Sequence, residues 1–136
     1  MKISLIATLA ALAPLAFATP SLAQDAAAGE KTFAKCKACH AITAPDGTSI
    51  VKGGKVGPNL YGIVGRPAAS YPDFKYGDGI LAAAAAGLVW DEALIAEYVV
   101  DPTAFIDTHG GSGKSKMTFK LAKGGEDIAA YLATFK

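Results

Sequence analysis

The sequence predicts an all-α domain of three to five helices joined by long loops. Three observations predict it. Segments of helix-forming composition recur between Asp25 and Phe135, several with apolar residues gathered on one face. No stretch alternates apolar and polar residues convincingly over a strand's length, and no internal repeat is present. Between the helical segments the chain is crowded with Gly, Pro, Asp, Thr and Ser, the residues of turns and loops.

The first segment is expected to be removed. Lys2 gives a positive start, and Ile3 to Phe17 form an almost wholly apolar run. Ser21-Leu22-Ala23 supplies the small residues of a cleavage site. Pro14 and Pro20 break the apolar run and no stop-transfer pattern follows, so residues 1–23 read as a secretory signal peptide rather than an anchor. The mature chain would start at Gln24, have no membrane span and lie in the periplasm. Its length suits one domain, residues 24–136.

The mature elements follow in order. Asp25 to about Lys37 has helical composition, with Ala26, Gly29, Phe33 and Ala34 as an apolar stripe. Ala41 to Gly57 reads as a long loop, and Val56-Gly57-Pro58-Asn59-Leu60 continues it. Pro67 to Tyr76 is irregular. Ile80 to Ala86 is a short Ala-rich helix closed by Gly87. Asp91 caps a helix that runs to Val100 and that Pro102 ends. Ala104 to Ile106 adds one turn, and Asp107 to Ser115 is a polar, Gly-rich loop. Glu126 to Phe135 is the last helix, with Ile128, Tyr131 and Leu132 on one face.

So much loop would fold poorly around side chains alone, and one pentapeptide supplies what is missing. Cys36-Lys37-Ala38-Cys39-His40 has the spacing of a c-type haem attachment site. Two thiols three positions apart can each form a thioether to a haem vinyl group, and the adjacent imidazole can reach the iron. The chain has only 2 Cys and 2 His, and with no second Cys pair and with His40 and His109 far apart it lacks the paired spacings of a structural zinc site. A thioredoxin-like dithiol belongs at the start of a helix after a strand, whereas the segment before Cys36 reads as helix. A plain disulfide is the remaining alternative. Haem c, held by Cys36 and Cys39 with His40 on the iron, is the expected cofactor. The plane of that group gives the loops something to lie against.

A second axial ligand decides what such a haem does. Met117 is the only methionine of the mature chain, and it sits in the Gly- and Lys-rich stretch around Lys116-Met117-Thr118-Phe119. A plain core residue is less expected there. A thioether is a soft ligand that favours ferrous iron, raises the reduction potential and closes the sixth position. His109, in Thr108-His109-Gly110-Gly111, is the competing candidate.

With these residues in view, the mature chain resembles the class I c-type cytochromes, and within them the cytochrome c2 group, relatives of mitochondrial cytochrome c. Gly29 and Phe33 match the first helix of that family, and Ile128 and Tyr131 match its last. The resemblance implies the cytochrome c fold, in which these helices cross closely at the small Gly. It implies that the Pro58 carbonyl, in Gly57-Pro58-Asn59-Leu60, accepts the N–H of His40 and orients the imidazole. It also implies that Arg66, Tyr76 and Trp90 lie at the haem propionates, Tyr98 near the Met117 sulfur and Phe119 at the haem edge. The loop between Ile106 and Met117 is longer than in mitochondrial members.

The function expected is a soluble mono-haem electron carrier and not an enzyme. The resemblance implies a cytochrome bc1 complex as donor. As acceptor it implies a terminal oxidase, a nitrogen-oxide reductase or a photosynthetic reaction centre. Lys2 accounts for the formal charge of +1, so the mature chain is balanced and gives no reason to expect nucleic acid. The distribution is uneven. Lys31, Lys35, Lys37, Lys52 and Lys55 crowd the haem motif, and Lys114, Lys116, Lys120 and Lys123 surround Met117. Asp91, Glu92, Glu97, Asp101 and Asp107 lie between. A basic face would steer a docking partner toward the haem. The carrier itself is expected to be a monomer.

Overall fold

The computed structural model describes residues 24–136; the expected signal peptide lies outside the described residues. Five helices and one small hairpin follow in the order α1 (Ala26–Phe33), β1 (Ile42–Thr43), β2 (Ser49–Val51), α2 (Asp78–Ala85), α3 (Glu92–Val100), α4 (Pro102–Thr108) and α5 (Gly125–Ala133). The all-α expectation holds, with β1 and β2 the sole strands among the described residues.

Helix starts are set by short acidic side chains. Asp25 caps α1, its carboxylate accepting from the N–H groups of Ala27 and Ala28. Asp91 caps α3 by accepting from Leu94 at 2.7 Å. Asp101 ends α3 in an extended conformation, the one favoured before proline. The same residue then caps α4 through Ala104, with Pro102 in its first turn. Pro102 therefore both stops one helix and starts the next. For that reason α4 is longer than the single turn expected over Ala104–Ile106, and it buries Phe105 and Ile106.

The hairpin was not legible as strand. Ile42 pairs with Val51 and Thr43 with Ser49, antiparallel, with a bulge between Ile42 and Thr43. Only Ile42 of these is buried, so no apolar alternation marks it.

The core is held by the crossing of α1 with α5 and of α3 with α5. At the first crossing Gly29 lies against the backbone carbonyl of Asp127, and a Cβ at Gly29 would overlap that carbonyl and reach within 2.8 Å of the Tyr131 Cβ. Phe33 packs on Tyr131 with ring centroids 5.6 Å apart. The main-chain N–H of Asp25 donates to the Asp127 carboxylate at 2.9 Å and fastens the two helices at their starts. Phe33, Ile128 and Leu132 are almost fully buried, each contributing about 1.5–3 kcal/mol on removal from water. The last helix forms one wall of a cleft on whose other sides lie α3 and the loops.

Candidate functional site

The site is built from a helical exit, a loop and a helix wall. Beyond α1 the chain continues in tight turns. Cys36 N–H donates to the Phe33 carbonyl at 2.8 Å, and the N–H groups of Cys39 and His40 donate to the Cys36 carbonyl at 3.1 and 2.9 Å. This winding puts both thiols and the imidazole on the edge of one cleft of about 330 Å³, a size suited to a cofactor. Cys36 and Cys39 are free thiols, each partly buried. Burial, then the neighbouring Cys39, pushes the Cys36 thiol above its usual pKa, with Lys35 opposing. A reactive redox thiol shows the opposite shift. The motif also follows a helix rather than starting one. Both observations count against a thioredoxin-like dithiol. Among the described residues no group of three His, Cys, Asp or Glu side chains stands close enough to hold a metal ion, so a zinc site has no support.

His40 Nδ1 donates to the Pro58 carbonyl at 2.8 Å. This bond commits Nδ1 and leaves Nε2 as the free lone pair. Burial lowers the His40 pKa, with the Pro58 bond opposing, so the ring is neutral at physiological pH. Pro58 is itself fixed by its neighbours. Asn59 accepts from the N–H groups of Thr43 and Tyr61 and donates to the Thr43 carbonyl at 2.7 Å. Gly57 presses on the imidazole: a Cβ there would run into the ring, meeting Nδ1 and Nε2 at 2.6 Å each.

The same cleft is lined by Met117, Tyr98, Trp90, Tyr76, Arg66 and Phe119. All ten residues singled out from the sequence thus face one cavity. Arg66 sends Nη1 to the Tyr61 carbonyl at 3.2 Å and Nη2 to the Asn59 carbonyl at 3.0 Å. Its guanidinium lies 5.4 Å from the Tyr71 ring centroid. Burial lowers its pKa; it remains a cation. The Tyr76 hydroxyl accepts from Tyr71 N–H at 3.2 Å. Trp90 is 8% exposed, stacked on Phe105 at 5.6 Å and edge-on to Tyr98 at 5.1 Å. Phe119 is 40% exposed and reaches solvent from the cleft.

His109 is elsewhere. Its ring stacks on Phe105 with centroids 3.9 Å apart, Nδ1 lies 2.9 Å from the Phe105 carbonyl, and Nε2 lies 3.6 Å from Glu97. It is not part of the cleft lining. Sequence reasoning missed Ser115, whose hydroxyl meets both the Tyr98 hydroxyl and Met117 N–H. A polar residue two positions before the lone Met was its only signal.

The lysines divide into two groups. Lys35, Lys114 and Lys116 line the cleft. Lys116 Nζ donates to the carbonyls of Lys75 and Tyr76 at 3.1 and 3.3 Å, bridging to the segment across the cleft. Lys120 is paired with Asp101 at 2.6 Å, so its charge is largely offset.

The donors present fit a covalently attached haem. Two thiols, a neutral imidazole fixed through Nδ1 and a thioether line one apolar cleft. The Gly57 contact shows that the imidazole is held in place rather than loosely packed.

No family model matches the chain. Individual proteins do. It is 60% identical to cytochrome c2 of Rhodobacter capsulatus over 136 residues, covering 98% of each chain. It is 58% identical to cytochrome c-550 of Paracoccus versutus over 139 residues, covering 98% of this chain and 88% of that one. The solved structure of cytochrome c2 isolated from Rhodobacter capsulatus matches with a TM-score of 0.78 at 62% identity, covering 81% of this chain and 97% of that one. Identity this high over nearly the whole length, on the same fold, makes this chain a member of the cytochrome c2 family, electron carriers and not enzymes.

Proposed function

We propose that the mature chain, residues 24–136 after removal of 1–23, is a monomeric periplasmic carrier with one haem c bound through Cys36 and Cys39. His40 and Met117 would hold its iron. The observation that carries this reading is the His40–Pro58 hydrogen bond at 2.8 Å, made in a cleft that also holds both thiols and Met117. When bound, the haem supplies an iron that gains or loses one electron without a substrate of its own.

The residues divide the work. Cys36 and Cys39 would hold the haem as thioethers, each sulfur bonded to one vinyl carbon with the thiol proton on the other, which would need no oxidant. Pro58 fixes the tautomer and plane of His40 and makes Nε2 a better donor. Met117 would exclude small ligands from the iron and would favour its ferrous state. Arg66, Tyr76 and Trp90 would offer hydrogen-bond donors to the haem propionates. Arg66 spends only two of its five N–H groups on backbone carbonyls. Apolar Trp90, Ile95 and Leu132 keep water from the interior, and Phe119 brings the cleft to the surface.

Electrons come from a bc1-type complex and leave to a terminal oxidase, a nitrogen-oxide reductase or a photosynthetic reaction centre. Absence of a helix long and apolar enough to cross a membrane among the described residues is consistent with a carrier that moves between them. The test is reconstitution. Purified protein should titrate as a single one-electron couple and restore quinol-driven electron flow between isolated bc1 complex and oxidase. A protein that titrates but restores no flow with any of the three acceptor classes contradicts the carrier reading.

A further inference from the structure

Among the described residues, two that are not glycine carry a positive φ, Ala69 at 54° and Asp73 at 59°. Both lie in one short loop, two positions either side of Tyr71. An alanine gains nothing from the left-handed region, since its Cβ crowds the following carbonyl. Such a conformation persists only where the surroundings over-determine it. Here the loop is pinned on both sides of the turns. Ala68 N–H donates to the Leu88 carbonyl at 2.8 Å, and Ser70 Oγ donates to the Pro67 carbonyl at 2.6 Å. Phe74 meets Tyr76 edge-on with ring centroids 4.8 Å apart. What the two turns deliver is Tyr71. Its ring centroid lies 5.4 Å from the Arg66 guanidinium carbon, and its N–H donates to the Tyr76 hydroxyl at 3.2 Å. Tyr71 is half-buried and is not on the cleft lining, whereas Arg66 and Tyr76 both are.

We infer that Tyr71 is the positioning residue for Arg66: from outside the cleft lining its ring covers the guanidinium, and its N–H holds the Tyr76 hydroxyl, so that the charge stays in place at the cleft wall. The other anchors of Arg66 are the Tyr61 and Asn59 carbonyls. They engage two N–H groups in the guanidinium plane and leave its faces open. A π face attracts a cation lying over it and keeps water from that side. A charge shielded from water acts more strongly on its surroundings. The inference rests on the reading of Arg66 as a donor to the haem propionates. On that reading, a guanidinium held dry favours the ferrous form, because reduction adds a negative charge within its field.

Two measurements on the holoprotein follow Arg66: hydrogen exchange at its Nε–H by NMR, and the reduction potential. Tyr71→Leu removes the π face and keeps an apolar side chain. In that variant the Arg66 exchange rate should rise ~3-fold, and the ferrous-to-ferric ratio at a fixed applied potential should fall ~3-fold, as expected for losing one partly exposed cation–π contact. Tyr71→Phe keeps the ring face and should stay near the unmodified protein in both. Tyr71→Gln should behave as Tyr71→Leu and serves as the second variant if Tyr71→Leu does not fold. Exchange at α1 and α5 amides should stay unchanged. The inference is overturned if Tyr71→Leu matches the unmodified protein in either readout, if Tyr71→Phe falls as far as Tyr71→Leu, or if all amides accelerate together. Arg66→Gln separates the underlying reading. Alone it should lower the potential, and on that background Tyr71→Leu should add no further drop. A further drop of the same size overturns the inference and leaves the reading of Arg66 intact. No drop from Arg66→Gln removes that reading, and this inference with it.

Discussion

On the proposed ligation, Met117 is the side chain whose loss has the most direct readout. Replacing it with Ala should lower the reduction potential, because a soft thioether favours ferrous iron. The weak far-red ferric band that reports iron–sulfur bonding in this family should disappear with it. A variant that keeps both band and potential would assign the ligand elsewhere. His109 is a poor substitute: it is stacked on Phe105 and faces Glu97. The attachment residues were legible because their chemistry is local. Cys36, Cys39 and His40 are contiguous, and a turn of backbone suffices to bring them together. The place of Met117 on the cleft lining was legible because it is alone. Ser115 was not, because its burial is made by Tyr98 and Thr103, whose helices reach it only in the folded chain.

Among the elements, the α1–α5 crossing is the most sensitive to a single atom. Gly29→Ala would set a methyl group against the Asp127 carbonyl and the Tyr131 Cβ. Overpacking of this kind costs about 1–3 kcal/mol, and denaturant unfolding should show it as a lower midpoint. A midpoint unchanged from the parent would mean the helices part easily. The α3–α4 corner depends on pH in a definite direction. Lys120 and the Ala104 N–H hold the Asp101 carboxyl below its usual pKa. A depressed carboxyl stabilises the fold above its ordinary pKa and ceases to do so as pH falls through the depressed value. Asp101→Asn should therefore be less stable than the parent near neutral pH and converge with it in acid. A constant gap across the range would mean that the ionised carboxylate is not what stabilises this corner. This corner also marks where sequence reading ran short. The helix over Ala104–Ile106 was legible in kind but not in length, because a single Asp closes one helix and opens the next. The β1–β2 hairpin carries too few buried residues to leave a pattern. Helices with capped starts and one apolar face were legible to within a few residues.

For the whole molecule, steering has to come from the distribution of charge, since the mature chain is balanced overall. Lysines 35, 37, 55, 114, 116 and 120 gather in sequence around the two cleft-lining segments. The structure sorts them: Lys120 is engaged by Asp101 and Lys116 by backbone carbonyls. Lys35 and Lys114 stand exposed on the cleft lining beside Phe119. Electron transfer to a physiological oxidase or reaction centre should slow steeply with salt, because the Debye length shrinks from ~10 Å at 0.1 M to ~3 Å at 1 M. Charge reversal at Lys35 or Lys114 should slow it at low salt more than reversal at Lys120, with the visible spectrum intact. A rate indifferent to salt and to every reversal would make docking apolar. The account as a whole stands on covalent attachment at Cys36 and Cys39, and the most direct test is intact mass combined with acid–acetone extraction of the purified protein. The result expected is one species, the chain from Gln24 plus one haem, with the pigment staying on the polypeptide. A mass without haem, or colour that leaves with the solvent, would contradict it.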